Sequence, residues 1–305
     1  MGKKDFLSVD DLSTDELLSL LDAADEIKAK PAEFSDALSG KQVALVFEKP
    51  STRTRVSFEV AVTSMGGHAL VLRGDELQLG RGETIEDTGR VLSRYVDAIV
   101  VRTFGHDRLE TLAAAASVPV VNSLSDYSHP CQALADLQTV REKRGKFEGL
   151  ALAYVGDGNN VAHSLMFAGA KVGMDVRVAS PEGHEPLPRV ADRARGIAAG
   201  TGGRVTVTNI VAEAVTGADI LYTDVWASMG QESEADTRKE TFSRYRIDED
   251  AVGMASDDVI VMHCLPAHRD EEIAASVMDG PHSVVFDQAE NRLHSQKALL
   301  IWLLG

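Results

Sequence analysis

The chain has 305 residues, 44% hydrophobic and 26% charged, which suits a globular protein long enough to bury a core in each of two domains. Its formal net charge of −16 disfavours nucleic acid as a partner, because an acidic surface repels a phosphate backbone. No apolar run reaches the roughly 18 residues of a membrane span, and Met1-Gly2-Lys3-Lys4-Asp5 lacks the apolar core of a secretion signal, so a cytoplasmic protein with no membrane partner is expected.

Two consequences follow from charge and cysteine usage. Any anionic substrate must be drawn in by local arginine clusters against the global field, and the acidic surface suits a salt-rich cytoplasm. The only cysteines, Cys131 and Cys264, cannot make a disulfide framework, and each lies close to a histidine, His129 or His263.

Ser13-Thr14-Asp15-Glu16 reads as a capping box opening a helix within Asp10–Lys30. Strands are then predicted over Val43–Phe47, Ala69–Leu72, Ala98–Val101 and Val118–Val121. Helices fall at Glu83–Tyr95, Arg108–Ala116 and Gln132–Arg144. After the polar break Arg144–Gly149, short apolar strands are predicted at Leu150–Val155, Val176–Ala179, Val205–Val207, Ile220–Tyr222, Val259–Met262 and Val284–Phe286. Helices Val161–Val172 and Leu187–Ala199 alternate with them, and Gln288–Leu304 closes the chain. Short apolar strands alternating with helices imply α/β architecture: two doubly wound parallel-sheet domains with helices on both faces. Residues 1–145 are expected to form the first and 146–287 the second, with 288–305 packing back on the first.

In such sheets ligands bind beyond the carboxyl ends of the strands, and the chemically suggestive residues fall there. Lys49-Pro50-Ser51-Thr52-Arg53-Thr54-Arg55 follows the first strand and opens a helix. A helix start offers unpaired N–H groups and partial positive charge, and an arginine fork can clamp phosphate oxygens, so this loop suits a phosphorylated ligand. Taken alone it could equally be an ordinary cap. Arg102 ends the third strand, and two guanidiniums in one cleft would neutralise a phosphate dianion. His129-Pro130-Cys131-Gln132 places an imidazole donor and an amide acceptor at another helix start.

Gly156-Asp157-Gly158-Asn159-Asn160 resembles a nucleotide-binding turn, but Val161 stands where the third glycine belongs, and no acidic residue ends the next strand. The asparagines suit a zwitterionic small molecule instead. Asp224, followed by Ser228-Met229-Gly230, could hold an ammonium and a carboxylate. His263-Cys264-Leu265-Pro266-Ala267-His268 has no convincing fourth metal ligand and no paired CxxC, so no metal is expected. A thiol beside Asp224 would manage a proton on an amine.

Together, Ser51–Arg55, His129-Pro130-x-Gln132, Asp224…Ser228-Met229-Gly230, His263-Cys264-Leu265-Pro266 and Gln288-Ala289-Glu290-Asn291-Arg292 resemble the aspartate/ornithine carbamoyltransferase family, and its ornithine-specific branch in particular. The resemblance spans residues 51–292. It implies a first domain for carbamoyl phosphate, a second for L-ornithine, and no cofactor. Ser51, Thr52, Arg53, Thr54, Arg102, His129, Pro130, Cys131, Gln132, Cys264, Leu265 and Arg292 would line the carbamoyl-phosphate pocket, with Gln78 entering from a neighbouring subunit of a homotrimer. Arg102, His129 and Thr54 would polarise the carbonyl; Asn160, Asp224, Ser228 and Met229 would bind ornithine; and Cys264 would accept a proton or orient the amine. The resemblance thus implies citrulline formation. Transfer to putrescine or N-acetylornithine, or a nucleotide-dependent oxidoreductase, are the competing expectations.

Overall fold

A computed structural model describes residues 3–74, 82–227 and 235–305. The chain divides into two compact units, Met1–Gln138 with Glu290–Gly305, and Thr139–Ala289.

In the first unit, helix α1 (Thr14–Ala29) starts on the Ser13 capping box, whose hydroxyl takes the Glu16 N–H. Strands β1 (Gln42–Phe47), β2 (His68–Arg73), β3 (Ala98–Arg102) and β4 (Val120–Leu124) form a parallel sheet in the order β2-β1-β3-β4. Helices α2 (Thr52–Thr63), α3 (Ile85–Leu92) and α4 (His106–Ala115) connect them, and α5 (Pro130–Arg144) follows β4. The strands carry branched apolar residues because both sheet faces are covered. On one face Ala44, Val46, Ile99 and Val101 pack with Leu109, Leu112 and Ala113 of α4.

β4 begins at Val120, two residues later than the sequence pattern predicts, and it runs on through Asn122 and Ser123. Pro119 has no N–H to give a ladder, while the polar pair is held by specific hydrogen bonds in the core.

The second unit holds β5 (Ala151–Val155), β6 (Asp175–Ala179), β7 (Arg204–Thr208), β8 (Ile220–Thr223) and β9 (Ile260–His263), all parallel, in the order β7-β6-β5-β8-β9. Its helices are α6 (Asn160–Lys171), α7 (Pro188–Thr201), α8 (Val211–Val215), α9 (Ala235–Phe242), α10 (Glu249–Met254) and α11 (Ala275–Met278). The last helix, α12 (Val285–Leu304), starts in this unit and ends in the first. Ala298 and Ile301 of α12 pack with Ala24 and Ile27 of α1 and with Phe34.

The predicted strand Val284–Phe286 is overturned. One bridge joins Ser283 to Val261, and the chain turns helical from Val285. An apolar triplet is too short for periodicity to separate a strand from a buried helix start. Among the described residues no helix is long and apolar enough to cross a membrane.

Each sheet reverses its winding at one place. In the first unit the chain leaves β1 for β2 on one side and continues to β3 and β4 on the other, so the switch point lies between β1 and β3. In the second unit it lies between β5 and β8. Crevices open beyond the carboxyl ends of the strands at such points.

Candidate active site

The first switch point is flanked by the Ser51 loop after β1 and by Arg102 at the end of β3. Ser51 is extended and caps α2, its hydroxyl accepting from Thr54 N at 3.3 Å. Thr52 and Arg53, on the first turn, are exposed. Thr54 is buried, and its Oγ1 accepts from the Arg292 guanidinium at 3.2 Å. A second Arg292 nitrogen donates to Gln132 Oε1 at 2.7 Å, and Gln132 Nε2 donates to Asp136 at 2.9 Å. The residues around Ser51, Gln132 and Arg292 are therefore tied into one network, although they are far apart in sequence.

His129 sits at the mouth of α5, its carbonyl accepting from Gln132 N at 3.1 Å and Ala133 N at 3.3 Å. The side chain is buried. Burial first, then the positive charges of Arg292, Arg102 and Arg53, hold its imidazole well below the usual histidine range. A neutral imidazole in the field of three guanidinium charges can donate to an oxygen that gains negative charge.

Pro130 is the first residue of α5, and the buried Cys131 follows it. The Cys131 thiol donates to Asn122 O at 3.3 Å, and burial pushes it up to about 12 despite Arg292. Its sulfur is inert at neutral pH.

A latch that sequence reasoning missed joins the ends of β1 and β3. Glu48 N donates to Arg102 O at 2.9 Å, and its carboxylate accepts from Thr103 Oγ1 and, at 2.7 Å, from Arg108. Next to it the Lys49 ammonium lies 4.0 Å from the centre of the Phe104 ring. The only signal available was Glu48 itself, an acid placed between an apolar strand and a basic loop.

The second switch point is built around Asp224, which follows β8 and is buried. One carboxylate oxygen accepts from Cys264 Sγ at 2.9 Å, and the other accepts from Asn159 Nδ2 at 2.9 Å. Asn159 also caps α6, its Oδ1 accepting from Val161 N at 2.9 Å and Ala162 N at 3.3 Å. Asn160, the first residue of α6, is half-buried beside it. The sequence reading assigned ligand contact to Asn160; Asn159 emerges as the residue that orients Asp224.

Cys264 follows β9 directly, and Leu265 comes next with a positive φ of 59°. That strained backbone is held by His263, whose Nδ1 accepts from Leu265 N at 2.8 Å. The ring proton must then sit on Nε2, where Glu272 Oε1 lies at 3.1 Å. Glu272 is fully buried and also accepts from His268 N at 2.6 Å. No local motif marked Glu272, which joins His263 of β9 to the His268 backbone.

Asp224, His263 and Cys264 bring one potential metal ligand each within 4.8 Å of one another. Both nitrogens of His263 are already committed, so binding a metal there would cost the bond that holds Leu265 or the one to Glu272. The thiol–carboxylate pair is instead suited to an ammonium group.

The turn after β5 uses its glycines internally. A side chain at Gly158 would collide with Pro186 N at 2.1 Å, and Gly158 N donates to His184 O at 2.8 Å. Asp157 accepts from Arg238 at 2.9 Å, and the same Arg238 nitrogen donates to Trp226 O at 2.8 Å. Burial pushes the Asp157 carboxyl up and Arg238 pulls it back. This turn packs against its own unit where a dinucleotide fold would present backbone to pyrophosphate. Gln78, Ser228 and Met229 lie outside the described residues.

Two family models divide the chain. The aspartate/ornithine carbamoyltransferase carbamoyl-P binding domain matches residues 4–142, and the Asp/Orn binding domain of the same family matches residues 148–303. The chain is similar to an ornithine carbamoyltransferase of Parafrankia sp., with 61% identity covering all of this chain and 97% of that protein. It is also similar to one from Acidothermus cellulolyticus, at 59% identity over 98% of this chain and 96% of the relative. The solved ornithine carbamoyltransferase of Pyrococcus furiosus superposes with a TM-score of 0.96 at 53% identity, covering 100% of this chain and 98% of that one. The chain belongs to the aspartate/ornithine carbamoyltransferase family.

Proposed function

We infer that the protein transfers the carbamoyl group of carbamoyl phosphate to the side-chain amine of L-ornithine, giving L-citrulline and phosphate. The observation that carries this reading is the complementary chemistry of the two switch points. One sets a neutral imidazole in the field of Arg53, Arg102 and Arg292; the other presents the Asp224–Cys264 pair. The first suits a phosphorylated acyl donor and the second an amine.

The Ser51 cap, the α2 N-terminus, Arg53 and Arg102 hold the phosphate. His129, Arg102 and Thr54 point donors at the carbamoyl oxygen. Gln132 Oε1, which has a second lone pair beyond its bond to Arg292, takes the carbamoyl NH2. The ornithine side-chain amine has a pKa of roughly 10, so it arrives as an ammonium. Asp224 attracts that charge, and the Asp224–Cys264 pair draws off the proton. Asn160, Ser228 and Met229 hold the α-amino and carboxylate groups.

The neutral amine then adds to the carbonyl carbon. The tetrahedral oxyanion rests against the imidazole and guanidinium donors. The C–O bond to phosphate breaks, and the arginines hold the departing charge. The chemistry needs no cofactor. On the same reading the working form is a cytoplasmic homotrimer or an assembly of trimers, with Gln78 of one copy completing its neighbour's pocket; the family resemblance is the support for this.

Steady-state citrulline or carbamoyl-amine formation with ornithine, putrescine and N-acetylornithine tests the assignment. Ornithine is expected to be preferred over putrescine by about 10³-fold or more, because buried polar groups left unpaired penalise the lesser substrate. Equal or better turnover of putrescine would overturn the substrate assignment.

A further inference from the structure

Asn122 is fully buried in the middle of β4, a position where a polar side chain is costly unless it is bonded. Its amide nitrogen donates to Leu7 O at 2.8 Å and Ser125 Oγ at 3.1 Å, with Ser128 O at 3.3 Å. Its backbone oxygen accepts from Cys131 Sγ at 3.3 Å, and its backbone N–H donates to Phe6 O at 2.8 Å. Its own Oδ1 is buried with no hydrogen-bond partner among the described residues. All of the amide's bonding therefore runs through the NH2 group, which an aspartate could not supply.

These contacts bracket His129. Ser128 precedes it and Cys131 follows two residues later, and both are fastened to Asn122. Ser125 closes the turn, its backbone N–H donating to Ser128 O at 2.9 Å and its hydroxyl accepting from Ser128 N at 3.3 Å. His106 Nδ1 meets the same hydroxyl at 2.8 Å. On the other side Asp5–Leu7 runs along the sheet edge: Phe6 bridges Val121 in parallel, and Asp5 Oδ1 accepts from Val120 N at 2.8 Å.

We propose that Asn122 is a positioning residue: it fixes the backbone on both sides of His129 so that the imidazole meets the developing oxyanion, and it couples the N-terminal segment to turnover. The proposal rests on the carbamoyl-transfer reading of His129. A displacement of about 1 Å in such a donor can cost 10²-fold in rate. The side-chain amide holds the Ser128 flank, the Ser125 hydroxyl and Leu7, while the backbone oxygen holds the Cys131 flank, so Asn122→Ala removes the first three bonds and leaves the last.

The test is a double-mutant cycle on the full chain with saturating carbamoyl phosphate and ornithine. Asn122→Ala is expected to lower kcat about 10- to 100-fold with the KM for ornithine changed less than about twofold. In a His129→Ala background the same substitution should cost less than about twofold. Deleting residues 1–7 should lower kcat with the same insensitivity in the His129→Ala background. If Asn122→Ala does not fold, Ser125→Ala enters the cycle in its place, with a severalfold kcat loss expected to vanish when His129 is absent. Multiplicative losses in the double variant would overturn the positioning role while leaving His129 catalytic. An unchanged kcat in His129→Ala alone would instead overturn the underlying reading of the site.

Discussion

Replacing Arg53 by alanine is expected to lower kcat/KM for carbamoyl phosphate by about 10²–10³-fold and to leave the melting temperature unchanged, as measured by citrulline formation and a thermal scan. The side chain lies exposed on the first turn of α2, so its removal opens no cavity and strands no buried partner. What is lost is a charge that acts at His129 and a fork able to take two phosphate oxygens. Arg53→Lys should recover only part of the activity, because an ammonium restores the charge without the bidentate geometry. Near-normal turnover in Arg53→Ala would remove the phosphate clamp from the account.

Asp224→Asn is expected to cost about 10²–10³-fold in kcat/KM for ornithine while affinity for inorganic phosphate, measured by calorimetry, stays the same. The carboxylate accepts from Cys264 through one oxygen and from Asn159 through the other. An asparagine has one acceptor oxygen, so its NH2 either faces the Asn159 amide, donor against donor, or replaces the strong acceptor the thiol now meets with a donor. The substitution also removes the negative charge that would attract an ammonium. A variant with unimpaired ornithine turnover would show that the thiol, or a group elsewhere, manages the amine alone.

The sequence announced those residues whose chemistry is local. Ser51 and Arg53 advertise a helix start by their neighbours, and Asp224 and Cys264 fall at the ends of apolar strands where ligand groups are expected. The α/β alternation was also legible, since buried parallel strands read as short apolar runs. Strand order was not, and with it both switch points were hidden: the order β2-β1-β3-β4 depends on which crossovers turn back, a non-local choice.

Supporting residues were hidden for a related reason. Glu48, Asn122, Asn159 and Glu272 act through partners in other elements, and each alone looks like an ordinary cap, strand or surface residue. Asn122 even counted against its own strand, because a polar residue interrupts an apolar run. The Val284–Phe286 triplet failed in the opposite direction, being apolar enough for a strand but placed where α12 begins.

The central claim is that the arginine–imidazole cluster and the carboxylate–thiol pair serve one reaction. Calorimetric binding of a bisubstrate analogue, with a phosphonoacetyl group on the ornithine side-chain nitrogen, tests it most directly. The account predicts that this molecule binds about 10²-fold or more tighter than phosphate or ornithine alone, and that Arg53→Ala and Asp224→Asn each abolish the gain. Affinity no better than that of the tighter half, or a gain indifferent to either substitution, would contradict it.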